Sequence, residues 1–368
     1  MSVKQTLLDF NINLPVPFNE KSIMNIKRNI TEVLQEMFGT EDSVFEPKPN
    51  TMLFFFDKTE TQCTVRVFPD GLVTLDVVQY IGDNTNNNTD SYPIWTKVDM
   101  IDLRDRIKTR LSCSNARYIP PITRGREICC YRETTDDRII EYDFDRVVSS
   151  EQSPYQHVLI VHSPQFGNML ILDEIEMIAE SDLVYTQALL GNGREDYNDK
   201  SVLILGGGDG GVLHELLKQN PRADTYYSQF YCMWYSLTPK QIDKSVIDAS
   251  RKHLRAVCGD SLDNLRGKNY EVIIADCTQV MREFVKEKRR SYLDFQQEIQ
   301  DLSIRLLSPR GKYFVQGANG FNKQNNLRLY EEQLENLCCP VEFKKEFVFV
   351  PSFLELYPFY SFRSVYSV

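Results

Sequence analysis

The chain is 368 residues long and 42% hydrophobic, which is enough for roughly two or three packed units, because a single core usually stops growing below this size. Its formal net charge of -10 argues against general nucleic-acid binding, which needs basic surface, and favours cationic partners. No apolar run approaches the roughly 18 residues that cross a bilayer, and the first residues lack the pattern of a signal peptide. We therefore expect a cytoplasmic protein with no membrane and no nucleic-acid partner.

The cysteines and histidines do not form a recognisable metal or disulfide pattern. The nine cysteines contain no C-x-x-C pair, and Cys129 and Cys130 are adjacent, as are Cys338 and Cys339. The four histidines lack metal-ligand spacing. The sequence predicts reduced, structural thiols and no metal site.

The first predicted element is an amphipathic helix over residues 20–38, where apolar residues recur at helical spacing and Gly39 supplies a stop. A polar segment at 83–91 is predicted to be a flexible loop, and a second helix is predicted over roughly 94–111. Between the helices, alternating apolar residues predict strands over 51–56, 63–68 and 72–78. We expect an N-terminal α+β domain that ends near Arg117.

After Pro120 and Pro121 the chain contains short extended segments, which predict a small antiparallel β domain over residues 118–175. These segments cover 138–144, 157–163 and 168–173.

From residue 176 to 368 helices and strands alternate, which is typical of an α/β fold with a parallel, doubly wound sheet. The predicted elements include a helix over 179–190, a strand over 201–205, a helix over 212–219 and a strand over 270–275.

A glycine turn connects the second strand-helix pair in the segment SVLILGGGDGGVLHELL. Gly206, Gly208 and Gly211 match G-x-G-x-x-G, a weak pattern alone but one that lies here between a buried strand and a helix. This context predicts a site for a nucleotide-like ligand; a purely structural tight turn is the alternative.

Asp209 lies inside this turn, where a dinucleotide enzyme would bring its pyrophosphate. At about 4 Å and an effective dielectric of about 20, two unit charges interact by about 4 kcal/mol, which disfavours a phosphate and favours an ammonium or sulfonium. The turn therefore favours a cationic ligand similar to S-adenosylmethionine. The structural alternative for Asp209 is a turn residue or a helix cap.

Several motifs occur together in a fixed order along most of the chain. They are FPDGLVTLD, PPITRG, RIIEYD, EQSPYQHVLIVHSPQFGNMLILD, AESDLVYTQALLG, SVLILGGGDGGVL, CGDSLDNL, GKYFVQG, LYEEQL, CPVEF and VPSFLELYPFY. In these stretches the sequence resembles the spermine and spermidine synthases, and the spermine synthase branch in particular.

The resemblance implies a homodimer formed through residues 1–117, a domain similar to S-adenosylmethionine decarboxylase. It implies that the small β domain precedes a Rossmann-like, methyltransferase-type catalytic domain. The implied activity is transfer of an aminopropyl group from decarboxylated S-adenosylmethionine to spermidine, which gives spermine and 5'-methylthioadenosine without a metal or redox cofactor.

The same resemblance assigns roles to individual residues. Gln156 contacts the nucleoside, and Tyr185 and Asp209 hold the aminopropyl and polyamine amines. Asp276 and Cys277 face the adenine, and Glu355 binds the far end of the polyamine. Phe353 stands where the family commonly has tyrosine, so that one hydroxyl contact is lost.

Each of these residues also has a plain structural alternative. The alternative for Tyr185 is the core face of an amphipathic helix, and the alternative for Gln156 is a surface turn. Asp276 fits a strand-end cap, and Glu355 fits a solvated charge on an alternating strand.

The sequence departs from the family in two segments. Where the family has V-E-I-D, with the glutamate on the ribose hydroxyls, this chain has an aromatic insertion followed by Gln241, a neutral amide that makes a weaker contact than a carboxylate. Later, after a predicted helix over 278–290, the apolar strand ending in D-L-T and its acceptor aspartate are absent. The chain passes directly to the next predicted helix, SYLDFQQEIQDLSIRLL, whose Asp294 lies on the wrong element to replace that aspartate.

These two departures affect the predicted sheet and the predicted activity. In a doubly wound sheet the affected strands flank the central strand, so we expect unpaired backbone groups there, with local instability or a rearranged sheet. Three hypotheses follow: an active aminopropyltransferase, a catalytically impaired splice form or gene-model product that dimerises or binds ligand without turnover, and a small-molecule methyltransferase. The last gives no reason for the first domain or for the SFLELY segment.

Overall fold

The computed structural model describes residues 2–12, 20–41, 43–48, 50–81, 94–134, 138–198, 200–219, 226–228, 243–263, 271–276, 292–317 and 324–365. The chain divides into two compact units, residues 1–129 and 130–368. The predicted loop at 83–91 and the predicted helix at 278–290 lie outside the described residues.

The first unit contains a six-stranded antiparallel sheet in the order β2-β3-β4-β5-β1-β6. Its strands are β1 Ser2–Asn11, β2 Ser43–Lys48, β3 Thr51–Phe56, β4 Thr61–Val67, β5 Leu72–Ile81 and β6 Asn115–Arg124. A short 3-10 turn, Asp57–Thr59, connects β3 to β4. The strands predicted over 51–56, 63–68 and 72–78 are confirmed within a few residues.

Two helices cover one face of this sheet. Helix α1, Glu20–Phe38, agrees with the predicted helix over 20–38, and α2 is Lys97–Arg110. Thr96 begins α2 with a capping box, in which its hydroxyl and the Asp99 carboxylate accept from each other's backbone N–H groups. The apolar faces of both helices share one buried core with the sheet.

The predicted end of the first domain near Arg117 falls inside a strand. Arg117 pairs with Asp9, and β6 continues along β1 to Arg124, because its backbone N–H and C=O groups pair with the edge of β1 that β5 leaves free. The first compact unit consequently extends to Cys129.

The second unit begins with two antiparallel sheets. A two-stranded sheet pairs β7 Tyr131–Glu133 with β8 Ile139–Glu141. A four-stranded sheet follows in the order β12-β11-β10-β9. Its strands are β9 Arg146–Gln152, β10 His157–Ser163, β11 Gly167–Leu172 and β12 Ile175–Ala179.

The helix predicted over 179–190 begins later than expected. Residues Ile175–Ala179 form β12, and helix α3 is Leu183–Leu189. The reason is Asp182, whose carboxylate accepts a hydrogen bond from the Ala179 N–H at 2.7 Å and so closes a turn between strand and helix.

The remainder of the second unit is built on a six-stranded mixed sheet in the order β14-β13-β15-β16-β18-β17. The first four strands are parallel, and β18 is antiparallel to both β16 and β17. The strands are β13 Ser201–Gly206, β14 Tyr226–Ser228, β15 Glu271–Asp276, β16 Tyr313–Gln316, β17 Val341–Val350 and β18 Glu355–Ser364. The helices are α4 Gly211–Leu217, α5 Lys244–His253, α6 Arg255–Cys258, α7 Tyr292–Leu306 and α8 Gln324–Glu335. The predicted α/β class is confirmed.

The expectation of unpaired backbone beside the central strand is wrong at the position of the missing segment. Strand β15 pairs in parallel with β13 on one side and with β16 on the other. The N–H and C=O groups of β15 therefore pair with both neighbouring strands, and the sheet is continuous without the absent strand. Residues Tyr226–Ser228, in the other departing segment, form a short parallel strand beside β13.

One buried apolar cluster connects the four-stranded sheet to the mixed sheet. It includes Val158 of β10, Tyr185 of α3, Ile204 of β13 and Phe359 of β18. Among the described helices, none is long and apolar enough to cross a membrane.

Candidate active site

The glycine turn between β13 and α4 needs glycine at Gly210 for two reasons. Its φ is 79°, in the left-handed region, and a Cβ atom there would lie 2.8 Å from Cys258 Cβ and 2.7 Å from Leu262 Cγ. The turn therefore packs closely against the segment that follows α5, and this contact fixes the position of the residues at its tip.

Asp209 precedes Gly210 and is 9% exposed. Its Oδ1 accepts a hydrogen bond from the Gly211 N–H at 2.8 Å. Burial raises the pKa of Asp209, and the hydrogen bonds from backbone N–H groups oppose that rise. The Asp209 carboxylate is therefore buried at the tip of the turn and held there by a backbone donor.

An aromatic wall is formed by Tyr185 of α3, Phe353 in the turn before β18 and Phe359 within β18. The Tyr185 ring packs edge-on against Phe353, with 5.9 Å between centroids, and against Phe359, with 5.3 Å. Its hydroxyl donates to Gln316 Oε1 at 2.8 Å. From the sequence, Tyr185 was expected either in the site or in the core. In the structure its ring belongs to the buried cluster, and its hydroxyl is hydrogen-bonded to Gln316.

Glu355 begins β18, two residues after Phe353. Leu354 between them has a φ of 54°, an uncommon value for a branched residue, so the chain turns between Phe353 and Glu355. Burial raises the pKa of Tyr357, and the negative charges of Glu355 and Glu176 raise it further. Glu176 of β12 also forms an ion pair with Arg132 at 2.5 Å.

Asp182 holds the start of α3 against the turn that carries Phe353. The carboxylate is 1% exposed and accepts from the Ser352 N–H at 2.9 Å and from the Ser352 hydroxyl. The Tyr142 hydroxyl donates to the Ser352 carbonyl at 2.7 Å. Asp182 thus sets the position of Tyr185 relative to Phe353.

Gln156 lies in the turn between β9 and β10 and is 6% exposed, so it is not the surface residue that was the alternative. Its Nε2 donates to Asp243 Oδ2 at 3.2 Å. Asp243 is the N-cap of α5, which places the small β sheet and the mixed-sheet helices in contact at this point.

Three residues predicted for the site are described only in part or not at all. Asp276 is the last residue of β15 and pairs with Gly206 at the carboxyl ends of both strands, beside the glycine turn. Gln241 and Cys277 lie outside the described residues.

Sequence reasoning missed Asp182, Asp243 and Gln316. Asp243 had a local signal, because an aspartate directly before an amphipathic helical segment is typical of an N-cap. Asp182 and Gln316 contact residues more than 100 positions away, and no local pattern predicts such contacts. Within the described residues, no cluster of three or more His, Cys, Asp or Glu side chains suits a metal ion.

Comparison with models of protein families identifies the family of the chain. Residues 176–366, more than half of the chain, match the family model described as "Spermine/spermidine synthase domain". The chain belongs to the spermine/spermidine synthase family. Residues 130–180 match the model described as "Spermidine synthase tetramerisation domain", a range that includes the four strands β9–β12 of the small sheet.

Curated relatives of this spermine/spermidine synthase family member include "Polyamine aminopropyltransferase 1" of Aquifex aeolicus, 34% identical over 115 residues, and the protein of the same name from Bacillus cereus, 33% identical over 152 residues. These alignments cover 31% and 37% of this chain. The chain spans 37% and 50% of the lengths of these relatives. The crystal structure of spermidine synthase from Thermotoga maritima is 22% identical with a TM-score of 0.49, covering 67% of this chain and 82% of that chain.

Proposed function

We propose that this chain transfers an aminopropyl group from decarboxylated S-adenosylmethionine to spermidine, giving spermine and 5'-methylthioadenosine. Membership of the spermine/spermidine synthase family supports an aminopropyltransferase. The observation that carries the proposal is the buried Asp209 carboxylate in the glycine turn, because a nucleotide-type turn with an internal anion suits a cationic nucleoside.

The proposed reaction is a single displacement. The lone pair of the spermidine nitrogen forms a bond to the methylene carbon beside the sulfonium, and the carbon–sulfur bond breaks. Its electron pair stays on sulfur, which becomes the neutral thioether of 5'-methylthioadenosine. The spermidine amine arrives protonated, since its pKa lies near that of lysine, about 10, and it must lose that proton to a carboxylate or through it to solvent.

Asp209 has two roles in this proposal. Its charge stabilises the ammonium of the aminopropyl group, and its fixed position aligns that chain for attack. Asp276 ends the neighbouring strand at the same edge of the sheet, which is where ligands bind in open α/β sheets. Asp276 and Cys277 are assigned to the adenine, and Gln156 and Gln241 to the ribose side of the nucleoside.

The aromatic wall supports a polyamine as the acceptor. The methylene segments of spermidine pack on Tyr185 and Phe353, and Glu355 binds the distal ammonium. Putrescine lacks one aminopropyl unit of spermidine, so the proposal assigns acceptor preference to Glu355, the anion beyond the reacting amine.

This preference is tested with Glu355→Gln, assayed with spermidine and with putrescine. The expected result is a fall in kcat/KM for spermidine of about tenfold, as for loss of one charged hydrogen bond, with a much smaller change for putrescine. Glu342→Gln is the matched control, since this glutamate of β17 is 62% exposed. Equal losses with both acceptors would remove Glu355 from the polyamine site.

A second candidate function is ligand binding without turnover. It is favoured by the sequence itself, in which no D-L-T segment separates β15 from α7. Such a chain binds 5'-methylthioadenosine but forms no spermine, and a spermine assay beside a binding titration distinguishes the two candidates.

We also propose a cytoplasmic homodimer formed through residues 1–117, the domain that resembles S-adenosylmethionine decarboxylase. Leu53 and Phe55 are partly exposed on the sheet face opposite the helices, since strand residues alternate with the buried Met52 and Phe54. Light scattering of the full chain should give twice the mass of one chain, and the Leu53→Asp substitution should reduce the measured mass to that of one chain.

The proposed cytoplasmic location is supported by the buried free thiols of Cys63 and Cys258, which suit a reducing compartment.

A further inference from the structure

The turn between β17 and β18 contains Phe353 and leads into Glu355, the first residue of β18. The Val350 carbonyl accepts from the N–H groups of Phe353 at 3.2 Å and of Leu354 at 3.1 Å, and these bonds close the turn. They determine the local shape of the turn. Its position relative to the rest of the unit depends on contacts with other elements.

Ser352 makes those contacts from inside the turn, where it is 0% exposed. Its N–H donates to Asp182 Oδ1 at 2.9 Å, and its hydroxyl donates to Asp182 Oδ2. Its carbonyl accepts from the Tyr142 hydroxyl at 2.7 Å. All three polar groups of Ser352 are therefore bound by two side chains from other elements, Asp182 before α3 and Tyr142 after β8. Side chains that are distant in the sequence thus fix the position of the turn.

The Tyr142 ring is held independently of its hydroxyl. It stacks on Phe144, with 4.9 Å between the ring centroids, and packs edge-on against Phe166 at 6.2 Å. The Tyr142 N–H donates to the Cys130 carbonyl at 2.7 Å. Burial raises the pKa of Tyr142, so its hydroxyl stays protonated and able to donate at neutral pH. The ring is a fixed support from which one hydroxyl reaches the turn.

We propose that Tyr142 is a positioning residue for the acceptor, because through Ser352 it fixes the turn that leads into Glu355. The inference rests on the proposed function, since it takes a polyamine as the ligand beside this turn. Tyr142 does not contact the ligand in this proposal. Without its hydroxyl the turn is held by Asp182 alone, and part of the free energy of spermidine binding is then used to restore the position of the turn.

The position of this turn matters for the acceptor more than for the nucleoside. Ser352 directly precedes Phe353 and lies three residues before Glu355, and the proposed function assigns Phe353 and Glu355 to the polyamine. Asp209, which is assigned to the aminopropyl group, accepts from the Gly211 N–H within the glycine turn itself. Binding of 5'-methylthioadenosine should therefore depend little on the turn at Ser352. Putrescine lacks the aminopropyl unit that reaches Glu355, so its binding should also depend less on this turn.

The test is isothermal titration of the full chain, Tyr142→Phe and Tyr197→Phe with spermidine, putrescine and 5'-methylthioadenosine. Tyr197 is the matched control, because it is also buried in the second unit and its hydroxyl donates to a backbone carbonyl, that of Leu190, at 3.2 Å. We expect Tyr142→Phe to weaken spermidine binding about two- to tenfold, the range of one neutral hydrogen bond, and to change the other two affinities less than about twofold. Tyr197→Phe should lose a similar amount of stability in urea unfolding and keep all three affinities.

A double variant tests whether Tyr142 acts through Glu355. Glu355→Gln removes the charge that the turn positions, so the further change Tyr142→Phe should then weaken spermidine binding little more. Losses that add in full would show that Tyr142 does not act through Glu355, and the inference would be wrong.

The outcomes separate this inference from the proposed function. If the unmodified chain binds spermidine and Tyr142→Phe binds it equally well, the positioning role is wrong while the acceptor stands. If Tyr142→Phe and Tyr197→Phe lose spermidine affinity to the same extent, the effect comes from general stability and the positioning role is again wrong. If the unmodified chain binds no spermidine, the proposed acceptor is wrong and the inference fails with it.

Discussion

Gly206 and Asp276 are paired residues at the carboxyl ends of two adjacent parallel strands, β13 and β15. Gly206 opens the turn that carries Asp209, so the backbone of Asp276 lies beside this turn at the same edge of the sheet. The arrangement exists because β15 occupies the place between β13 and β16 and satisfies both ladders. Any additional strand at that place must displace β15.

We predict that insertion of a family-like strand, D-L-T and loop between Arg290 and Phe295 increases spermine formation. A positioned general base typically contributes about 10² to 10⁴ in rate, so the gain should be at least about 100-fold. The control is the same insertion with asparagine in place of the D-L-T aspartate. Equal activity of the inserted and unmodified proteins would contradict our interpretation of the missing segment.

We predict that a cationic ligand binds more tightly as the pH rises through the raised pKa of Asp209, because the ligand needs the ionised carboxylate. Binding should release a proton in this pH range, which titration calorimetry in two buffers of different ionisation enthalpy measures. The neighbouring Cys258 does not titrate there, since burial raises the pKa of its thiol. Asp209→Asn should abolish the proton release, and the exposed Asp260→Asn should retain it.

The same shift predicts the pH dependence of stability without ligand. The folded chain holds the Asp209 proton more tightly than the unfolded chain, in which an aspartate carboxyl has a pKa of about 3.9. The Asp209 contribution to stability is therefore fully present below that value and is lost as the pH rises to the raised pKa. Urea unfolding across this range should show a weaker decline for Asp209→Asn than for the unmodified chain.

We predict that Phe353→Tyr improves spermidine binding. Phe353 is partly buried and packs edge-on against both Tyr185 and Tyr357, contacts that a tyrosine ring retains. A hydroxyl that gains one hydrogen bond to the ligand contributes about 0.5 to 1.5 kcal/mol, so KM for spermidine should fall about two- to tenfold. Phe349→Tyr is the matched control, because Phe349 is 52% exposed. An unchanged KM would show that the wall does not contact a polar part of the acceptor.

We predict that Asp182→Ala strongly destabilises the second unit. The substitution leaves the buried N–H groups of Ala179 and Ser352 without their acceptor, and each orphaned donor costs about 1 to 3 kcal/mol. Urea unfolding followed by circular dichroism should show a loss of at least about 2 kcal/mol. Asp248→Ala, which removes a half-exposed carboxylate, should change stability by less than about 1 kcal/mol. Similar losses for both variants would contradict the role of Asp182.

Local sequence patterns were sufficient to predict elements whose formation depends mainly on their own residues. The helix over 20–38 follows from apolar spacing, and the glycine turn follows from its strand and helix context. Strand β1 was not predicted, although buried residues alternate along its second half at Thr6, Leu8 and Phe10. The residues between them are both apolar and polar, so the alternation is weak in the sequence. The strand is defined by its pairing with β5 on one edge and with β6 on the other.

Long-range pairing accounts for what the sequence could not predict. The hydrogen bond between Gln156 and Asp243 joins residues 87 positions apart, and only the folded unit brings them together. The pairing of β15 with both β13 and β16 depends on which strands compete for one place, a property of the whole sheet rather than of any segment.

The contact between Asp182 and Ser352 joins residues 170 positions apart, and this separation has a consequence for the order of folding during synthesis. Asp182 leaves the ribosome long before Ser352 exists, because the chain emerges from its N-terminus. Until the turn at Ser352 is made, the start of α3 lacks one of the groups that fix it, and Tyr185 lacks Phe353 as a neighbour. The aromatic wall can therefore assemble only after residues 352–359 have been synthesised, which is later than the synthesis of the glycine turn.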